Sequence, residues 1–335
     1  MREALSFDDV LLVPKRSDVE RRGVIDIGND LSERVRLALP VVSSPMDTVT
    51  ETAMALEMSL NGGLGIIHRY NTIDEQVSLA SSVCIQNVGA AVGASGDFLE
   101  RADALVKAGV NVICIDVAHG HHILMKSALK ALRETLDPDI HIMAGNVATL
   151  EGFNDLADWG ADSIRVGIGG GSICSTRIQT GHGVPTFQSI LDCAKSDRDA
   201  KLIANGGIRT NGDIVKALAA GADFVMVGSI LAGTDESPGE VFTNNKKKYK
   251  VYRGMASSNA QKDWRGKTSA PEGISTTIPY KGSVKQILLD MVGNIQSGFS
   301  YSGSRNIQEL WFNRGFIKQT SAGQSESNTH ILQRK

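Results

Sequence analysis

The segment 167–177 reads Gly-Ile-Gly-Gly-Gly-Ser-Ile-Cys-Ser-Thr-Arg, setting one thiol, Cys174, at the end of a glycine run with a hydroxyl, Thr176, two residues on. Glycines let successive backbone groups turn toward one ligand. Amides around a sulfur favour its thiolate, the form that attacks carbon. Cys174 is therefore the candidate nucleophile. Cys84, Cys114 and Cys193 sit in apolar or helical surroundings and read as inert thiols. The four cysteines contain no C-x-x-C pair and no histidine at a zinc spacing, which argues against a disulfide framework or a thiolate metal centre.

Other residues at the ends of apolar runs could share the work. Gly206-Gly207 and Gly228-Ser229 follow the last two runs, where backbone amides suit a phosphate. Asp116 follows the run VICI and could grip a ribose, carry a proton or cap the next helix. His119, His121 and His122 cluster but lack a carboxylate at ligand spacing. Gly167, Gly169 and Gly171 do not make a dinucleotide fingerprint, because a helix-opening third glycine and a later acidic residue are missing. A nicotinamide cofactor would bind outside that fold.

These residues need a frame that brings them to one level. Short apolar, β-branched runs recur at 40–44, 63–68, 89–93, 112–117, 141–146, 163–167, 202–205 and 224–227. Helical patterns lie between them, among them 52–60, 97–108, 123–136 and 214–220, the last with Asn211 as expected N-cap. Alternating strand and helix imply a parallel sheet, and eight units favour a closed (β/α)8 TIM barrel over an open doubly wound sheet. The expected organisation is one catalytic domain over 1–335. A lid loop over about 256–278, on the C-terminal face, is polar and without apolar periodicity. Helical pattern returns over 281–295, and a polar tail from 321 to 335 is expected to be extended or disordered unless a neighbour fixes it. Lys246, Lys247 and Lys248 read as a solvated hairpin turn.

Composition excludes several classes. With 335 residues, 41% hydrophobic and 21% charged, the chain can bury a large core without staples. A formal net charge of -2 gives no field to recruit nucleic acid or a membrane surface. Asp8 and Asp9 near the start do not fit a leader, and no apolar run is long enough to span a bilayer. The expectation is a soluble, cytoplasmic protein.

GGGSICSTR, SSPMDTVTE, GNVAT, the Gly-Gly-Ile-Arg run ending at Arg209, LAGTDESPGE, YRGM and PYKGSV together resemble the inosine monophosphate dehydrogenase and guanosine monophosphate reductase family. The resemblance runs from FDDVLLVP near the start to the tail. It implies a (β/α)8 barrel, usually a homotetramer, acting on a purine nucleoside monophosphate. Cys174 would attack C2 of the purine to form a thioimidate, with Thr176 handling a proton and Glu272 as lid acid. Nucleotide-binding positions would be Ser44, Ser172, Asn205, Gly206, Gly207, Gly228, Ser229, Tyr252, Gly254, Met255, Ala256, Glu272 and Gly273. Asp116, Val117, Ala118, Asn146, Arg165, Gly167 and Gly169 would lie on the cofactor side. Potassium would be held by backbone carbonyls at Gly169, Gly171, Cys174 and Arg177.

The resemblance leaves two directions. The reductase converts GMP and NADPH to IMP, ammonia and NADP; the dehydrogenase oxidises IMP with NAD and hydrolyses the adduct with an Arg-Tyr pair on a long lid. Here the lid is short and reads Lys262-Asp263-Trp264-Arg265-Gly266, and no paired regulatory (CBS) insertion separates 65–67 from 89–93. Those features, with Thr176 and Glu272, favour the reductase. AAVGA, Gly228-Ser229, APEGI and ESNTH look more like the dehydrogenase, for which Arg265 could be an unconventional base. Arg69 stands where reductases place a lysine. A catalytically silent nucleotide-binding barrel is the alternative of another class, and the intact Cys174 counts against it. Asn205 stands where the family has Asp, which implies a looser grip on ribose, and Gly170 stands where Pro or Ser is usual, which implies a looser loop.

Overall fold

The computed structural model describes residues 2–83 and 87–329. Cys84 and residues 330–335 lie outside the described residues. Eight strands carry the frame: β1 (Val41–Ser43), β2 (Leu64–Ile67), β3 (Gly89–Val92), β4 (Val112–Asp116), β5 (His141–Val147), β6 (Ser163–Val166), β7 (Lys201–Asn205) and β8 (Phe224–Val227). They pair in parallel in chain order, and β8 returns to β1 to close a barrel. Between them run α1 (Thr52–Leu60), α2 (Ile73–Ser81), α3 (Phe98–Lys107), α4 (Ile123–Thr135), α5 (Leu150–Asp158), the short α6 (Thr176–Thr180), α7 (Thr186–Cys193) and α8 (Asn211–Ala220). This is the (β/α)8 TIM barrel, closed rather than open.

Strands buried on both faces need apolar residues in both registers of the pleat. Val42, Leu64, Ile66, Val112, Cys114, Met143, Ile203 and Phe224 fill the barrel, while their neighbours Val41, Ile113, Ile115, Ile142, Ile164 and Val225 pack outward on the helices. Each fully buried aliphatic side chain contributes about 1.5–3 kcal/mol. Leu31, Val35 and Leu37, from the small hairpin that pairs Asn29–Asp30 with Arg36–Leu37, join the interior set. The same alternation turns Asp116 and Arg165 inward at the opposite, C-terminal mouth, where Arg165 Nη2 donates to Asp116 Oδ1 at 2.6 Å.

Several local expectations need correction. The cap of α8 is Thr210, not Asn211, which is the first helical residue. Thr210 and Asp213 satisfy each other's backbone amides at 3.1 Å, a reciprocal box that Asn211 could not make. The lid contains a helix, α9 (Ser258–Arg265), capped by Ser257 and ended by the left-handed Gly266. A strand over Ser275–Pro279 follows and pairs with Lys247–Arg253. The lysine cluster is only in part a turn: Asn245 and Lys246 take positive φ, whereas Lys247 and Lys248 are in the strand paired with Phe242–Asn244. Helix α10 (Val284–Tyr301) starts after its Ser283 cap rather than at Lys281, and outruns the expected end. α11 (Ile307–Asn313) follows, and Phe316–Lys318 pairs with Val10–Leu12. Where an extended or disordered tail was expected, Thr320 caps a further helix, α12 (Ser321–Glu326). No helix among the described residues is long and apolar enough to cross a membrane.

Candidate active site

The glycine loop leaves β6 at Gly167, whose φ is 145°; a Cβ there would stand 1.9 Å from the carbonyl oxygen of Asn205. Only glycine lets the loop pass this close to the β7 exit. Gly170 is likewise packed rather than loose: a Cβ would meet Thr186 Oγ1 at 2.3 Å. The loop then presents Cys174, half-buried, at the barrel mouth. Cys174 Sγ lies 3.2 Å from Thr176 Oγ1, and that hydroxyl donates to Glu272 Oε2 at 2.8 Å.

Backbone pairing with the stem of the lid holds these three groups together. Ile274 N donates to Ile173 O at 3.0 Å, and Ser175 N to Glu272 O at 2.9 Å. Glu272 N in turn donates to Ala256 O at 3.0 Å. The arrangement can attack an electrophilic carbon with sulfur and hand a proton to a leaving group through a hydroxyl backed by a carboxylate.

Two cavities meet at Cys174. One runs from Ser44 past Ser172, Asn205, Gly206, Gly207, Gly228, Ser229 and Tyr252 to Gly254, Met255, Ala256, Glu272 and Gly273. Every residue expected to bind nucleotide lines it. Its glycine end is a cradle: a Cβ on Gly228 would stand 3.2–3.4 Å from Tyr252 Oη, Met46 Sδ and Ser44 Oγ. Burial pushes the Tyr252 phenol up, and its hydrogen bond with Ser172 opposes the shift. Backbone amides, hydroxyls and no carboxylate at that end suit a phosphate.

The second cavity shares Cys174 and is lined by Asp116, Val117, Ala118, Asn146, Arg165, Gly167 and Gly169, all the expected cofactor-side residues. Arg165 is 2% exposed, and its Nε has no partner. Asn146 Nδ2 donates to Gly167 O at 2.7 Å, and Asn205 Nδ2 faces Asn146 Oδ1 at 3.4 Å. An amide, a carboxylate and the ring of Tyr70 beside the thiol are a donor set that fits a nicotinamide riboside. For the cation, Gly169, Gly171 and Cys174 offer carbonyls only, a set that suits a monovalent ion better than a divalent one. Gly171 O already accepts the Cys174 amide at 3.1 Å, with a lone pair left. Arg177 lines neither cavity; its carbonyl already accepts the Gly181 amide at 3.1 Å, and its side chain donates to Val184 O at 2.8 Å.

A family model described as IMP dehydrogenase / GMP reductase domain matches residues 4–330. The chain belongs to this family. An inosine-5'-monophosphate dehydrogenase of Cryptosporidium parvum is 39% identical, over 99% of this chain and 96% of its own. That of Nitrosopumilus maritimus is 35% identical over 98% of each, along 469 aligned positions, so the relative carries segments this chain lacks. A GMP reductase of Leishmania major is 32% identical, over 98% and 97%. The fold matches a crystal structure of a Trypanosoma brucei GMP reductase variant in complex with guanosine 5'-monophosphate. Its TM-score is 0.93, with 30% identity over 98% of each chain. The family's enzymes are oxidoreductases that use nicotinamide cofactors.

Some site residues were not foreseen. Tyr70 walls the cofactor-side cavity, and Met226 lines both. Met226 was accessible from the pleat, since it shares a register with the interior residue Phe224. Arg265 ends α9 and lines neither cavity. Two of the three clustered histidines are occupied elsewhere: His121 bonds Asp155 at 2.8 Å and His122 caps α4.

Proposed function

We propose that the chain is a GMP reductase, and the observation that carries this reading is the hydrogen-bonded line from Cys174 through Thr176 to Glu272. The Cys174 sulfur bonds to C2 of GMP. The 2-amino group then leaves as ammonia, taking a proton from Thr176, which Glu272 resupplies, and a thioimidate remains. A bound NADPH would supply hydride to C2. Return of the electron pair to sulfur breaks the C–S bond and frees IMP. Phosphate is held at Ser172, Gly207, Gly228, Ser229 and Tyr252, and the base at Gly254, Met255 and Glu272. Asp116, Asn146 and Arg165 hold the nicotinamide side. Potassium on the loop carbonyls, a homotetramer and a single catalytic domain belong to the same reading.

The dehydrogenase is the second reading, favoured by the 39% identity to the Cryptosporidium enzyme. It needs a group that activates water, and Arg265 lines neither cavity. One assay separates them. GMP with NADPH should lose the reduced-nicotinamide absorbance, and IMP with NAD and water should not sustain its growth. Turnover only in the second mixture would overturn the reductase.

A further inference from the structure

The lid helix is tied to the barrel at two points. Arg253, next to Gly254 of the nucleotide cavity, donates to Asp47 Oδ2 from Nε at 2.9 Å and from Nη2 at 2.6 Å. Its Nη1 reaches Asp263 of α9 at 2.5 Å. Asp47 follows Met46 at the β1 exit, and its amide faces Met255 Sδ at 3.4 Å. Beside Asp263, Trp264 meets Tyr70 edge to face, with centroids 5.7 Å apart. The Arg69 guanidinium lies 5.0 Å from the Tyr70 centroid.

The helix has little else to hold it. Ala260 and Gln261 are its buried residues, and no α9 residue lines either cavity. It can therefore act on the chemistry only through what it touches. The two halves of the clasp differ in character. Asp47 has 13% of its side chain exposed and is a fixed anchor, whereas Asp263, 64% exposed, is the releasable end. A planar guanidinium that bridges two carboxylates sets direction as well as distance.

We propose that Arg253 is a positioning residue: by tying Asp263 to Asp47 it seats Trp264 on Tyr70 and fixes the wall against which the cofactor's nicotinamide end lies. This rests on the reading of that cavity as the cofactor site. Arg253 touches no reacting atom; it acts through Asp263, Trp264 and Tyr70 in turn. Glu272 is held separately by the lid stem, so the clasp governs cofactor binding and leaves the acid in place.

The test uses the full-length enzyme saturated with GMP and titrated calorimetrically with NADP. Asp263→Asn and Trp264→Ala should each weaken NADP binding about two- to fivefold, the scale of one partly exposed attachment. GMP affinity and melting temperature should not change, and Asp263→Glu should restore NADP affinity. Parental NADP affinity in Asp263→Asn would overturn the proposal, as would parallel loss of GMP affinity and melting temperature. Tyr70→Ala separates the two levels. If it leaves NADP affinity intact, the cofactor reading of the cavity fails; if it weakens NADP while Asp263→Asn does not, the clasp alone fails.

Discussion

Replacing Thr176 by Val removes the one hydroxyl between the sulfur and the acid while keeping most of the volume. In the parent, Thr176 Oγ1 stands 3.2 Å from Cys174 Sγ and 2.8 Å from Glu272 Oε2. Without it, the carboxylate stands two hydrogen-bond lengths from the Cys174 sulfur, too far to protonate the departing amine of the adduct directly. A positioned acid is worth about 10²–10⁴-fold, or roughly 3–5 kcal/mol in barrier. Ammonia formation from GMP should therefore slow at least about a hundredfold. Rapid quench of a single turnover with GMP and NADPH measures that step. Hydride transfer is read separately by mixing IMP with NADP, because that half needs no leaving ammonia. It should keep its parental rate, and Thr176→Ser should recover most of the loss. Equal slowing of both halves, or ammonia formation close to the parent's, would refute the assigned role.

Burial sets two further expectations, and sequence a third. The Cys114 and Cys193 thiols are pushed up to about 11 and about 12 by burial, whereas Cys174 is half-buried at the mouth. Brief iodoacetamide treatment followed by peptide mass mapping should label Cys174 well ahead of those two, and GMP should protect it. Burial also lowers His141, 2% exposed, from 6.5 to about 4, so the folded state prefers the neutral ring. That contribution, about 3 kcal/mol, is complete above pH 6.5 and is lost as pH falls through about 4. Asp223, pushed up by burial, works in the opposite sense, so urea midpoints of His141→Gln and the parent should be compared from pH 7 to 4.5, the variant showing the flatter fall. At the sugar, Asn205→Asp should widen discrimination against 2'-deoxy-GMP in kcat/KM; an unchanged ratio would remove ribose reading from Asn205.

The frame was legible because apolar runs of a barrel strand are continuous and bounded by polar or glycine exits. All eight strands fall where those runs lie, and the exits name part of the lining of both cavities, Ser44, Asn205 and Gly206 among them. What escaped depends on partners far along the chain or on residues without apolar signal. Helix α9 reads SNAQKDWR, with no stripe to betray it; Ser257 and Gly266 define it instead. The link from Arg253 to Asp47 spans 206 positions, and nothing local marks it. Asn211 was an N-cap by type, but Thr210 won because Asp213 sits where it can answer. The packed state of Gly170 depends on Thr186, which arrives from the far side of the loop.

The backbone rungs that join Ile173 to Ile274 and Ser175 to Glu272 splice the Cys174 loop to the base of the lid. Reaction geometry is thus set at the root of that excursion, and its outer portion is free to lengthen, shorten or change sequence. Grafting a foreign loop between residues 258 and 270 should alter which second substrate is accepted without separating sulfur from proton donor. Such a joint lets one barrel exchange accessory segments while the bond-making centre travels intact.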